Sequence, residues 1–318
     1  MDLIPIQASF EPFGPITPGF VSKHHVRTDS ALDDVDLTAA GVIGHRNITH
    51  TQHRAPSLFP SQPPIALSVF TPTAPYSSTK PRPCIFYIHG GGFIFLHWLF
   101  GLDQPLDRAL ETGAVLVSVE YRRAPEHPQP AACDDCFAGL SWVRLSADEL
   151  GIDTTRIIVA THSVGSALAA GLALRARDEN VDPPILAQML PCPMLDDRSN
   201  TLSCLQFDGE EPWDRTKNMA VWKIATADKT GNEVSGYWAP ARAESLERLP
   251  PAYLEAGSAE FCRDEVASYA SRLWAAGGSV ELHVWAGAFH GFDKMAPESW
   301  LGQRSIAARS AWVKRILG

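Results

Sequence analysis

Residues 159–171 read VATHSVGSALAAG, a β-type run that breaks on THSVG and resumes as an alanine-rich helix. Ser163 thus stands on a strand-to-helix turn, where the helix dipole and the Val164 N–H favour negative charge beside its oxygen. That setting suits a nucleophile for acyl chemistry. The motif departs from the G-x-S-x-G elbow, because Thr161 occupies the first glycine position. A serine opening a helix is also a common N-cap, so this stretch alone leaves both readings open.

A serine hydroxyl needs a base, and the base needs a partner that fixes its tautomer. His290 lies in VELHVWAGAFHGFD, on a loop after the last strand-like run. Glu260 lies in SAEFCRDE, on the loop after AYLEAG. The order along the chain is therefore Ser163, Glu260, His290. Competing groups exist: His283 alternates within a strand pattern and His162 precedes the serine, and either reads as a packed or solvated imidazole. Asp264 and Glu265 begin a helix and read as first-turn charges favoured by its dipole, which places Glu260 ahead of them. Upstream, PCIFYI runs directly into His89-Gly90-Gly91-Gly92-Phe93. Three successive glycines let a backbone turn its N–H groups toward a ligand with no side chain in the way, a loop suited to an oxyanion.

The elements that must position these groups are visible as a rhythm. From about residue 65, the runs IALSVFTP, PCIFYIHG, GAVLVSVEY, RIIVATH, ILAQMLPCP, AYLEAG and VELHVWAG alternate with helical patterns at 131–146, 163–177 and 264–276, and a last helix is expected within 303–316. Short apolar runs separated by helices predict an α/β fold with a mainly parallel sheet covered on both faces, whose active groups gather beyond the carboxyl ends of the strands. Two regions break the rhythm. Residues 1–60 are polar and rich in proline and histidine, and 196–245 insert a helical piece in which Ala220, Ile224 and Ala227 share one face and Met219, Trp222 and Thr226 its neighbour. Together they are expected to form a lid over the functional edge, since an insert holding Trp213, Trp222, Tyr237 and Trp238 needs an apolar surface to cover.

Bulk properties narrow the class. The 318 residues are 45% hydrophobic and 20% charged, enough to bury a large core. The net charge of -9 argues against nucleic acid as a partner, because phosphate binding wants clustered Lys and Arg. No apolar run reaches the ~18 to 20 residues of a transmembrane helix, and MDLIPIQASFEPFGP has no basic region ahead of an apolar core, so neither a membrane span nor a secretory signal is expected. Six scattered cysteines fit a reducing, cytoplasmic setting. Cys133 and Cys136 form C-x-x-C, but apolar residues at helical spacing around them, and no second Cys or His pair, favour a helix core over a metal site.

Taken together the motifs resemble the hormone-sensitive-lipase group of α/β-hydrolases, which includes many carboxylesterases. The similarity runs from about residue 65 to the end through HGGGF, VEYRRAPEHPQPAACDDCFAGLSWV (similar to the family's D-Y-R-L-A-P-E-x-P-x-P-A segment), the Ser163 turn, RDEVASYASRLWAAGG and FHGF. The resemblance implies Ser163 as nucleophile, His290 as acid and base, and Glu260 where the family usually has Asp. It implies oxyanion donors at the backbone N–H groups of Gly91, Gly92 and Val164, with His89 and Gly90 shaping the loop. It implies a mostly parallel eight-stranded sheet with a helical cap, so that 1–60 form an amino-terminal cap segment, 61–195 and 246–318 the core, and 196–245 the cap insert. No metal or organic cofactor is implied, and a homodimer is compatible with it. Thr161 and Ser166 stand where the family usually has glycine.

The expected activity is hydrolysis of a small-to-medium apolar or aromatic ester, with lactones and specialised-metabolite esters included. Candidate pocket residues are Phe93, Leu96 and Trp98 after the glycine loop, and Trp213, Trp222 and Trp238 in the insert, each of which is equally a candidate for core. The rival expectations are a non-catalytic small-molecule receptor on the same fold, and an acyltransferase or C–C hydrolase using the same triad.

Overall fold

The computed structural model describes residues 38–76, 80–209 and 212–318. Eight strands form one sheet: β1 (Ile48–Ala55), β2 (Ile65–Pro72), β3 (Arg82–Ile88), β4 (Val115–Glu120), β5 (Ile152–Thr161), β6 (Ala187–Pro191), β7 (Ala252–Gly257) and β8 (Val280–Trp285). Their spatial order is β1-β2-β4-β3-β5-β6-β7-β8, antiparallel at β1/β2 and β2/β4 and parallel elsewhere. The longer helices are α1 (Asp103–Thr112), α2 (Ala131–Leu145), α3 (Val164–Asp178), α4 (Arg215–Ala225), α5 (Arg263–Ala275) and α6 (Trp300–Leu317).

The central strands are apolar throughout because both of their faces are covered. Alternate residues divide between two cores. Phe86, Ile88, Val117 and Val159 pack with α2, α3 and α5, while Ile85, Tyr87, Leu116 and Ile158 pack with α1 and α6 on the other face. Cys133 and Cys136 are buried on α2 inside the first core, as helical spacing indicated. All six cysteines are free and buried. No helix of the described residues is long and apolar enough to cross a membrane.

Strand β3 lies between β4 and β5, so the chain changes direction across the sheet there and opens a crevice at the strands' carboxyl ends. Ile88 and Thr161, the last residues of β3 and β5, are in register. The glycine loop and the serine turn therefore start side by side.

Two expectations need correction. Residues 48–55 are not part of a cap: they form β1, paired along its whole length with β2. Its sequence, ITHTQHRA, carries little apolar alternation because an edge strand has partly exposed residues on both faces. Residues 1–37 of the expected amino-terminal cap lie outside the described residues. In the insert, the buried stripe of α4 is Asn218, Val221, Trp222 and Ala225, and Met219 is exposed, so the helix is rotated from the expected face. Asp214 caps the helix, its side chain accepting the Lys217 N–H.

Candidate active site

Ser163 occupies the turn between β5 and α3 with φ 55° and ψ −125°, a strained conformation for a residue with a side chain. The turn is so tight that a Cβ on Gly165 would lie 2.3 Å from the Ile88 carbonyl oxygen, so only glycine lets α3 pack against the end of β3. The Ser163 N–H donates to the Pro191 carbonyl at the end of β6 (3.1 Å). Its Oγ is then 2.9 Å from His290 Nε2, and His290 Nδ1 is 2.9 Å from Glu260 Oε2. Glu260 Oε1 accepts the Gly257 N–H at 2.5 Å. All three side chains are buried.

The competing groups are engaged elsewhere. His162 Nε2 meets Asp293 Oδ1 at 3.1 Å, and His283 pairs with Glu281 on edge strand β8. Asp264 accepts the Ser203 N–H and pairs with Arg263, and Glu265 accepts the Leu195 N–H. Burial pushes the Glu265 carboxyl well above the usual range, with the Leu195 N–H opposing.

The glycine loop lies against the serine turn: a Cβ on Gly90 would be 3.0 Å from the His162 carbonyl oxygen and 3.5 Å from Ser163 Cβ. Gly91 and Gly92 have φ of 109° and 59°, and no backbone carbonyl among the described residues accepts either N–H. The buried His89 donates from Nδ1 to the Gly90 carbonyl (2.7 Å), burial holding its pKa well below the usual value and the ring neutral. Tyr121, which the sequence reading did not single out, stacks on His89 with ring centroids 4.1 Å apart. Its hydroxyl donates to the His89 and Gly90 carbonyls (3.1 and 3.2 Å). Its place at the end of β4, beside the crevice, was the available signal.

The candidate pocket residues separate. Trp213 is brought to the site: it meets the space a Cβ on Gly92 would take (2.8 Å to Cη2), and its ring centroid is 6.4 Å from that of His290. Phe93 and Trp222 are buried and pack edge to face at 4.9 Å, behind the loop. Leu96 is half-buried, and its Cβ backs Gly91. Trp98 does not join them. Its N–H donates to Glu120 (2.7 Å) and its side chain packs into the α1/α6 core on the opposite face. Trp238 is also displaced, because its neighbour Tyr237 packs on Gly171, eight residues or about 12 Å along α3 from Ser163. There it lies under Lys229 (5.1 Å) and anchors the insert. Residues missed by the sequence include Met194, whose Sδ is 3.7 Å from Ser163 Oγ, and Phe261, 5.6 Å from the His290 ring.

Glu260, Cys262 and His290 bring one potential metal-ligand atom each within 4.8 Å of one another. Two of those atoms are already joined in the Glu260–His290 hydrogen bond, and burial pushes the Cys262 thiol well up, away from the thiolate that a metal needs.

Behind the turn, Arg309 is 2% exposed, 2.7 Å from Asp293 and 3.2 Å from Glu255. Burial alone would raise the Asp293 pKa, but Arg309 and His162 hold it well below the usual range. Such a group contributes stability above its unfolded pKa that is lost as pH falls through the folded value. Arg309→Met takes the guanidinium away from two buried carboxylates, leaving Asp293 with His162 and Glu255 with Tyr253, Trp285 and Ser305, and is expected to cost about 3–5 kcal/mol at neutral pH. The deficit should shrink on acidification, as the carboxylates of the variant take up protons. Urea midpoints at two pH values check this; a variant as stable as wild type at pH 7 would contradict it.

A family model described as alpha/beta hydrolase fold matches residues 85–294. The chain is 36% identical over 234 residues to esterase LipI of Mycobacterium tuberculosis, covering 72% of this chain and 71% of that protein. It is 38% identical over 224 residues to carboxylesterase NlhH of the same species, covering 67% of each. Among solved structures, a bacterial heroin esterase superposes with a TM-score of 0.81 at 34% identity, covering 95% of this chain and 92% of that one. Esterase LipW from Mycobacterium marinum gives 0.83 at 32%, covering 94% and 91%. With the eight-stranded sheet and the ordered motifs, these matches make the chain a member of the α/β-hydrolase fold family, in its hormone-sensitive-lipase-like carboxylesterase group.

Proposed function

We propose that the protein hydrolyses carboxylic esters through an acyl-enzyme on Ser163. The observation that carries this reading is the unbroken hydrogen-bond chain from Ser163 Oγ through His290 to Glu260, set beside a glycine loop whose Gly91 and Gly92 N–H groups meet no backbone carbonyl among the described residues. His290 takes the serine proton as Oγ attacks the ester carbonyl. The N–H groups of Gly91, Gly92 and Val164 receive the oxyanion, and His290 returns the proton to the leaving alcohol. Water then repeats the sequence and frees the acid. An intact chain favours turnover over a receptor that only binds.

Residues 196–245 act as the cap in this reading, with Trp213 and Val221 facing Gly92. Their apolar surfaces support an apolar or aromatic ester, and the structural neighbour named as a heroin esterase agrees with that class. A fluorophosphonate probe tests the reading: it should label wild type and neither Ser163→Ala nor His290→Ala. Labelling that persists without Ser163 would sink the assignment. A panel of aryl esters of graded acyl length, with lactones alongside and products identified, then separates hydrolysis from acyl transfer or C–C cleavage.

Gly92→Ala is expected to lower kcat by about 10²- to 10³-fold, the usual cost of losing one oxyanion donor. An alanine there must adopt φ near +59° with its methyl against the Trp213 ring, so the N–H turns out of line. Steady-state kinetics decide it, and an unchanged kcat would remove Gly92 from the oxyanion hole.

A further inference from the structure

Thr161 and Ser166 replace two glycines that members of this family usually carry around the nucleophile, and each alone looks like a loss of fit. In the structure they meet. Both are buried, at 3% and 0% exposure, and Thr161 Oγ1 lies 2.6 Å from Ser166 Oγ. Thr161 Oγ1 is also 3.1 Å from the Met189 carbonyl oxygen, and Ser166 Oγ 3.1 Å from the Pro191 carbonyl oxygen. Pro191 is the residue whose carbonyl accepts the Ser163 N–H.

Counting protons shows how the pair works. Two hydroxyls bring two protons to three close oxygen–oxygen contacts. The 2.6 Å contact must hold one of them, since bare oxygens at that distance repel. One hydroxyl therefore donates to the other, and the acceptor passes its own proton to β6. The chain runs either Thr161 to Ser166 to Pro191, or Ser166 to Thr161 to Met189. In both cases the end of β5, the first turn of α3 and the end of β6 are joined by one buried link. Those are the three pieces whose placement aims Ser163 Oγ at His290.

We propose that Thr161 and Ser166 are positioning residues, a buried hydroxyl pair that holds the strained Ser163 turn in its reactive geometry where related enzymes rely on close glycine packing. The pair is buried away from solvent. It acts through the backbone of Ser163, which needs external restraint because its φ of 55° is unfavourable for a serine. This inference rests on Ser163 being the nucleophile.

The test is a double-mutant cycle of Thr161→Val, Ser166→Ala and the pair, with Thr161→Ser as the variant that keeps the hydroxyl. Four readouts are taken on folded protein: kcat and KM for an aryl acetate, the rate of fluorophosphonate labelling, and the urea midpoint. Each single loss should lower kcat and labelling about five- to twentyfold with KM within about twofold, and the double should be little worse than the poorer single, because both break the same link. Thr161→Ser should stay within about twofold of wild type. Midpoints that fall while kcat and labelling hold would reduce the pair to a structural role and overturn the proposal. So would additive losses in the cycle. Ser166→Ala removes one oxygen and adds no bulk, so if Thr161→Val fails to fold it carries the kcat, labelling and midpoint outcomes by itself. A wild-type protein that neither turns over esters nor takes the probe would instead refute the nucleophile reading, and this inference with it.

Discussion

Ser163→Ala is expected to lower kcat for ester hydrolysis by about 10⁴- to 10⁶-fold, the range seen when a triad nucleophile is removed. The size follows from the geometry. Oγ is the atom that would form the acyl bond, it lies 2.9 Å from the imidazole that would take its proton, and among the described residues the neighbouring side chains offer no substitute. Met194 is a thioether, and Cys192, just after β6, has its sulfur 3.5 Å from His162 Nε2 and its thiol pKa pushed well up by burial. Folding should change little, because the substitution removes one oxygen and alanine meets much the same φ penalty as serine at this turn. KM should also move little, since the glycine loop and Trp213 stay in place. Pre-steady-state and steady-state assays on the same preparations, with a urea melt of each, make the comparison clean. Residual activity within about tenfold of wild type would mean that another group carries the chemistry.

The parts of this site that could be read from residues alone are those fixed by local rules. A fully buried strand followed by a small-residue helix forces a sharp turn, so Ser163 was visible, and HGGGF after an apolar strand is equally local. His290 and Glu260 required only the inference that loops after parallel strands converge. What stayed hidden depends on which way a side chain faces once the chain has turned. Trp98 and Trp213 are alike in sequence terms, yet Leu96, with φ 66°, redirects the backbone and sends Trp98 to the opposite core. Strand β1 was hidden for a different reason: an edge strand with partly exposed faces lacks the apolar signal on which recognition rests. The Arg309 cluster and the Thr161–Ser166 pair were beyond reach, because each depends on distances between side chains that only the folded chain sets. Thr161 and Ser166 looked like two defects; only their 2.6 Å contact makes them one feature.

The identity of the carboxylate can be tested just as sharply, through Glu260→Gln set against Asp264→Asn. Glu260 uses both oxygens as acceptors, one for the His290 Nδ1–H and the other for the Gly257 N–H. Glutamine offers only one acceptor. If its oxygen faces His290, its amino group confronts the Gly257 N–H, donor against donor; if it faces Gly257, the amino group donates to Nδ1 and the ring takes the tautomer with a proton on Nε2. In that tautomer His290 cannot accept the serine proton. The fully buried position also denies the imidazolium any solvent to replace the lost negative charge. A fall in kcat of about 10⁴-fold is expected, the order found when the same change is made in a serine-protease triad. Asp264→Asn should keep kcat within a few-fold of wild type, because its carboxylate serves the Ser203 N–H and Arg263 rather than the imidazole. Glu260→Asp falls between, since a shorter side chain keeps the charge but cannot reach both donors at once. Should Asp264→Asn prove the more damaging of the two neutral variants, the carboxylate that orients His290 would lie on the first turn of α5, and the hydrogen-bond chain drawn through Glu260 would not be the one that works.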